Sequence, residues 1–433
     1  MLFRSGSVRE AVIGERYMPV ATLTDWLRAH GSPDHAGHTG TVPPLPDGQP
    51  APVDGALPEG LDWNAPLRAY VHVPFCSTRC GYCDFNTYTA GEIGGFDFGG
   101  YVEAVVAEID LARRVGHPHP LASVFVGGGT PSLLPPADLR VILDALRDRF
   151  GFEPEAEVTM EANPENVDER ALHAWLDAGV NRLSLGMQSA DPSALALLER
   201  VHTPGAAVSA AQAARRAGFT HVSLDLIYGV PGLTDDSWRR TVCAALEAEP
   251  DHISAYALGV EPGTALYRNV SRGTVPAPDP DAAADHYRVA DELLQDRGFA
   301  WYEISNWSLP DGQCRHNLGY WRGDNWWGFG PGAHSHVDGV RWWNLKRPAA
   351  YERSLAEGRS PAAGREILDA EARHTETVML QVRLAEGFSA DPHLEARLIE
   401  AGWAERTDGA RLRLTREGRM LADAVTRVLL GWD

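Results

Sequence analysis

Residues 68–85 read RAYVHVPFCSTRCGYCDF. An alternating apolar run, the pattern of a half-buried strand, leads into a loop carrying Cys76, Cys80 and Cys83 at C-x3-C-x2-C spacing. Phe85 stands where a fourth cysteine might have been. Thiolates bind iron well, and four of them normally hold a [4Fe–4S] cluster. Three on one short loop leave a coordination position without a protein ligand. Zinc would require a fourth donor, for which His72 is nearby, but the chain has no second C-x2-C pair. Three unrelated buried thiols are the remaining reading, and the spacing at a strand end speaks against it.

The chain has 433 residues, enough for two or three domains and a large core. Its formal charge of −20 repels phosphate backbones and argues against a nucleic-acid partner. Lys346 is the only lysine, which excludes a P-loop and leaves almost no room for Schiff-base catalysis. No apolar run is long enough to span a bilayer, and residues 1–20 lack the apolar stretch of a signal peptide. The expected location is therefore cytoplasmic, where thiols stay reduced and clustered cysteines serve metal or redox chemistry. Cys243, in an amphipathic helical pattern, is expected to be a small buried hydrophobe.

Residues 1–60 are weakly patterned, with 31–60 rich in Pro, Gly and Asp, and read as a largely disordered N-terminal extension, in which Met18 is a second candidate for the start of translation. Over residues 61–298, the runs ASVFVGG, EVTMEAN, RLSLGMQ, HVSLDLIYG and HISAYAL follow the first strand, separated by stretches of helical periodicity. About six such units predict an α/β fold with a parallel sheet, closed or partly open as a barrel, a doubly wound sheet being the competitor. Ligands bind at the carboxyl ends of strands in either case. Cys76, GGGTP (127–131), Glu161, Gln188 and Asp225 with YGVPG fall at successive strand ends.

Residues 299–362 hold seven of the thirteen tryptophans, among them Trp321, Trp326 and Trp343, interleaved with His316, His334 and His336 and with GFGPG. Residues 363–433 read as a helix, AGW, a hairpin at TDGA, then LTREG opening another helix. That order predicts a winged-helix-like domain, and without a basic recognition surface it is assigned a structural or docking role.

A C-x3-C-x2-C loop after a first barrel strand resembles the radical S-adenosylmethionine superfamily, whose open iron is chelated by the amino and carboxylate groups of the methionine moiety. The resemblance implies a [4Fe–4S] cluster on Cys76, Cys80 and Cys83, and a partial (β/α)6 barrel. It places Tyr82 against the adenine, and Gly128, Gly129 and Thr130 against the methionine part. Glycines there would allow close approach and expose N–H groups. AYVHVPFC, GGGTPS, EANPE, LGMQS, LDLIYGVPG and GPGAHS are similar, in that order, to the oxygen-independent coproporphyrinogen III oxidase-like branch. The similarity covers about residues 66–430. By motif position it implies S-adenosylmethionine contacts at Tyr70, Glu161, Gln188, Arg200 and Asp225.

That branch holds dehydrogenases resembling C-x3-C-x2-C-x-C, and haem chaperones of the HemW type resembling C-x3-C-x2-C-x-F with an H-N-x-x-Y-W motif. This chain has CGYCDF and HNLGYW (316–321). The resemblance implies a haem chaperone with His316 as axial ligand and with Tyr320 and Trp321 covering the macrocycle. It further implies haem-acceptor proteins, respiratory membrane enzymes met at the inner face of the membrane among them. The alternative is an aromatic layer closing the barrel, with His316 hydrogen-bonded inside it. Cys314 is a rival thiolate ligand. The competing function is an oxygen-independent coproporphyrinogen III dehydrogenase. The sequence leaves open the oligomeric state, a homodimer included, and whether S-adenosylmethionine is cleaved.

Overall fold

The computed structural model describes residues 48–432 apart from 118, 201 and 202. Strands β1 (Leu67–Val73), β2 (Leu121–Gly128), β3 (Phe152–Ala162), β4 (Arg182–Gln188), β5 (His221–Tyr228) and β6 (His252–Ala257) pair in parallel, each with the next in chain order. Strand order never reverses over these six, so the doubly wound alternative falls. Helices such as Phe98–Val115, Pro136–Phe150 and Ala206–Ala217 make the crossovers. Leu67, Ala69, Val71 and Val73 join Val124, Val126, Leu183 and Leu185 in the main core. The alternate positions, Arg68, Tyr70 and His72 on β1, carry polar groups that meet across the strands, as a period of two requires.

The sheet does not close on itself. β6 pairs antiparallel with β8 (Asn306–Ser308), which pairs with β7 (Ala300–Glu303). On the other side, β1 pairs in parallel with β9 (Asn325–Phe329), followed by β10 (His334–Val337), β11 (Val340–Asn344) and β12 (Ala362–Ile367). The aromatic segment 299–362, set apart by composition, thus extends the barrel's own sheet, because β1 and β6 leave edges whose backbone groups need partners.

The same reasoning corrects the reading of residues 48–60 as disordered. Gln49 and Arg365 exchange backbone hydrogen bonds of 2.7 and 2.8 Å, and the Ser360 N–H donates to Val53 O at 2.7 Å. This strap covers the edge of β12. The Met18 expectation concerns residues outside those described. Cys243 is exposed, not buried, because helix Asp235–Glu247 turns Trp238, Val242, Ala245 and Leu246 inward and leaves position 243 on the other face.

At the C-terminus, helices Ala370–Gln381 and Pro392–Glu400, a hairpin of β13 (Ala404–Arg406) and β14 (Leu412–Leu414), and helices Arg416–Met420 and Ala422–Leu430 enclose a small core of Phe388, Leu398, Trp403, Leu414 and Val425. Buried Arg419 fixes this unit to the barrel, donating from Nη1 and Nη2 to the two carboxylate oxygens of Asp291 at 2.9 and 2.8 Å.

Candidate metal centre at the strand ends

Cys76 leaves β1 and is buried, its N–H donating to Tyr88 O at 3.0 Å. The loop is held at several points. Cys83 N donates to Cys80 O at 3.1 Å, Gly81 N to Leu198 O at 3.1 Å, and Leu266 N to Gly81 O at 2.8 Å. Asn86 Nδ2 donates to Pro331 O at 3.0 Å and Lys346 O at 2.8 Å, tying the loop to the segments that follow β9 and β11. His72 spends both ring nitrogens, Nδ1 on the Tyr70 hydroxyl and Nε2 on Asn86 O, each at 2.9 Å. It is therefore not free to complete a zinc site.

The three thiols suit a polynuclear cluster. Burial pushes the Cys83 thiol up to about 12, and negative charge on Cys76 and Cys80 pushes the same way. Burial also raises Cys76. Cys76 and Cys83, raised by burial, resist ionising until a cation arrives. Among the described residues no three His, Cys, Asp or Glu side chains converge on a single ion, whereas a cubane takes each thiolate at a different iron.

The end of β2 packs directly on this loop. A Cβ at Gly129 would lie 2.5 Å from Phe75 O and 3.0 Å from Cys76 Sγ. One at Gly128, where φ is +118°, would lie 2.8 Å from the His72 ring. The expectation of free N–H groups here is corrected. Gly128 N donates to Glu161 at 3.0 Å, Gly129 N to Val73 O at 2.8 Å and Thr130 N to Phe75 O at 2.7 Å. The glycines provide close approach only. Thr130 adds its hydroxyl 3.7 Å from Cys76 Sγ.

Beside this ledge, burial, and after it the neighbouring Asp225, raises the Glu161 carboxyl to about 7. Asp225 is itself raised by burial, although the Ser184 hydroxyl reaches its two oxygens at 3.1 and 3.0 Å. Two carboxyls in one poorly solvated place favour a cationic or hydroxyl-rich ligand. Gln188 ends β4 at φ 64°. Arg200 reaches Cys80 Sγ at 3.5 Å through Nη1 and Gly186 O at 3.2 Å through Nη2. Tyr82 packs with Leu198, Ile227, Val230, Leu258 and Leu266, an apolar wall against the cysteine loop. Asn86 and Ser184 were not singled out from the sequence. The inward phase of RLSLGMQ could have pointed to Ser184.

The family described as Radical SAM superfamily matches residues 70–242. "Heme chaperone HemW" of Mycobacterium tuberculosis (strain ATCC 25618 / H37Rv) is 51% identical over 371 residues, covering 84% of this chain and 95% of that protein. The chain belongs to the HemW family. Its Bacillus subtilis (strain 168) relative is 31% identical over 379 residues, covering 84% of this chain and 99% of that one. Among solved structures, coproporphyrinogen III oxidase (HemN) from Escherichia coli superposes with a TM-score of 0.72 at 23% identity, covering 86% of this chain and 91% of that one. That likeness shows the fold, a radical SAM barrel. Membership of the HemW family and the radical SAM superfamily implies a [4Fe–4S] cluster and S-adenosylmethionine, which the thiols and carboxyls above fit.

The HemW-type motif HNLGYW lies elsewhere, on helix Arg315–Arg322. This helix closes the opposite end of the barrel, near the start of β1 and β2. A Cβ at Gly319 would overlap Arg68, whose guanidinium pairs with Asp324 at 2.6 Å. Glu157 accepts the first helical N–H groups, from Arg315 at 3.0 Å and His316 at 2.9 Å. His316 is 1% exposed, with Nδ1 on Ser123 Oγ at 2.9 Å and Nε2 on the Tyr320 hydroxyl at 2.8 Å. Both ring nitrogens are thus engaged, and axial ligation by His316 would require one of these hydrogen bonds to break. Tyr320 stands edge-on to His316 and Trp326 rather than on an open face. Trp321 packs with Tyr302, Leu318, Leu380 and Leu384, joining this helix to the C-terminal helices. Cys314 is buried, with Sγ 3.5 Å from Glu157. Burial pushes it up to about 12, which favours the neutral thiol in the absence of a cation.

His316→Ala should destabilise the fold by about 2–4 kcal/mol, since it opens a cavity and strips partners from buried Ser123 and Tyr320. Denaturant unfolding checks this, and an unchanged midpoint would refute the packing role.

Proposed function

We propose that this chain is a haem chaperone that holds one [4Fe–4S] cluster and S-adenosylmethionine and passes haem to acceptor proteins, respiratory membrane enzymes included. The observation that carries the reading is Phe85. It stands two positions after Cys83, 38% exposed on the cluster loop, where the dehydrogenases of this branch resemble one another in having a further cysteine. The relatives named "Heme chaperone HemW" support it.

Cys76, Cys80 and Cys83 would hold the cluster, and bound there it would supply an iron with an open position for the amino and carboxylate groups of S-adenosylmethionine. The protein's own work is placement. Gly128 and Gly129 let β2 close on the cysteine loop, Glu161 and Asp225 attract the cationic end of the ligand, and Tyr82 offers the adenine an apolar face. Among the described residues no helix is long and apolar enough to cross a membrane, and delivery at the inner face of a membrane is part of the proposal.

A histidine that ligates haem iron must be neutral and have an unspent nitrogen. In the aromatic segment, His336 uses Nδ1 on Asp324 O at 3.2 Å and Nε2 on Gly339 N at 2.9 Å. The His334 ring makes no hydrogen bond among the described residues, and stacks at 6.0 Å on Trp343. Burial lowers it to about 4, which keeps it neutral at physiological pH. His334 is therefore the proposed axial ligand.

His334→Ala should weaken haem binding at least about tenfold, the size of one lost polar contact of about 1.4 kcal/mol, and shift the Soret band. His316→Ala should lower stability while leaving that band in place. If His316→Ala moves the band and His334→Ala does not, the motif histidine is the ligand after all. For the activity itself, anaerobic cluster-replete protein is expected to bind haem and to leave coproporphyrinogen III unconverted. Turnover that requires S-adenosylmethionine would establish the dehydrogenase instead.

A further inference from the structure

Arg200 holds its inner end in a place with no obvious anion for it. No carboxylate among the described residues pairs with it, and its buried Nε has no hydrogen-bond partner. A buried guanidinium costs several kcal/mol, on the order of 3–5, when left without a counter-charge. The nearest groups able to carry one are cysteine sulfurs: Nη1 lies 3.5 Å from Cys80 Sγ. This contact is built rather than incidental. Nη2 is tethered to Gly186 O at 3.2 Å, and a Cβ at Gly186 would crowd it at 3.0 Å, so the glycine opens the path. Gly81 N, next to Cys80, donates to Leu198 O at 3.1 Å, locking the arginine's own segment to the cysteine loop.

We propose that Arg200 tunes the cluster: its guanidinium donates a charge-assisted hydrogen bond to the Cys80 sulfur and raises the potential at which the cluster accepts an electron. The inference rests on the cluster assignment to Cys76, Cys80 and Cys83. The step is a one-electron reduction, [4Fe–4S]2+ to [4Fe–4S]+, with a low-potential donor supplying the electron and no bond formed or broken. The added negative charge spreads onto the thiolate sulfurs, where a fixed positive charge and an N–H donor stabilise it. The role differs from holding a ligand carboxylate because it persists when no S-adenosylmethionine is present.

The test is a redox titration with dithionite, followed by spin resonance, on parent protein, Arg200→Gln and Arg200→Lys. All are matched for iron and sulfide and measured without S-adenosylmethionine. At the parent's midpoint potential, Arg200→Gln should hold at least tenfold less reduced cluster relative to oxidised, equivalent to about 59 mV for one electron. Arg200→Lys, which keeps the charge without the fork, should fall between the two. A cluster-replete Arg200→Gln that titrates with the parent overturns the tuning role and leaves Arg200 to the ligand alone. Should Arg200→Gln fail to assemble its cluster, Arg200→Lys decides: a parent-like midpoint together with parent-like iron–sulfur stretching bands overturns the proposal. A parent lacking iron and sulfide overturns the cluster assignment and this inference with it.

Discussion

Replacing Cys76, Cys80 or Cys83 by alanine should strip most of the iron and sulfide from anaerobically purified protein, the largest effect expected of any single substitution here. Each thiolate would hold a separate iron, so no other donor can take its place. His72 has both ring nitrogens committed to Tyr70 and Asn86, and Cys314 lies at the far end of the barrel beside Glu157. The fold itself should survive. The loop is fixed by backbone bonds at Cys76, Gly81 and Cys83 and by the Asn86 amide, none of which needs a sulfur. Iron and acid-labile sulfide analysis, with circular dichroism to confirm folding, makes the measurement. A triple Cys→Ala variant that kept its full complement of both would end the cluster assignment.

Glu161→Gln should weaken S-adenosylmethionine binding at least about 30-fold, the lower end of what a buried charged contact contributes. The amide retains an oxygen for the Gly128 N–H, so the substitution removes charge with little change of shape. The parent's affinity should also depend on pH in a way the variant's does not. Burial, and then Asp225, raises the Glu161 carboxyl to about 7, above its ordinary value. The empty fold thus favours the protonated form, and ligand-free stability falls as pH rises from the free-carboxyl range toward 7. A cationic ligand binds the ionised form. Affinity should rise with pH, level off above 7, and be about tenfold weaker at pH 6. Calorimetric titration of cluster-replete protein across this range provides the check. Parent and Glu161→Gln affinities within threefold of each other, or a parent curve flat in pH, would remove Glu161 from the site.

The parts legible beforehand share one property: their signal is local in the chain. Strand and helix periods are written in short windows, and RAYVHVPF followed by three cysteines places a thiol cluster at a strand end before any fold is known. The successive features at Glu161, Gln188 and Asp225 follow in the same way, since the carboxyl ends of parallel strands gather on one side. HNLGYW shows the limit. The hexapeptide announces a histidine among aromatics. It does not announce that Ser123, 193 residues away, and Tyr320 would take both nitrogens. Residues 48–60 show it again. Their composition is that of a linker, and only the open edge of β12 makes them a strap.

By itself, then, the amino-acid order determined the repeating strand–helix units, the spacing of three thiols around an absent fourth, and the family to which these belong. Each depends on neighbours within a few residues or on backbone direction alone. The tertiary structure decided where the sheet stays open, with β1 taking β9 as its second neighbour. It also decided that Gly128, Gly129 and Thr130 spend their N–H groups internally, that Arg200 meets a sulfur, and that both His316 ring nitrogens are engaged while the His334 ring makes no hydrogen bond among the described residues. Those outcomes turn on which groups meet across hundreds of residues. A buried donor or acceptor takes whatever partner packing brings within reach, and no window of sequence records that partner.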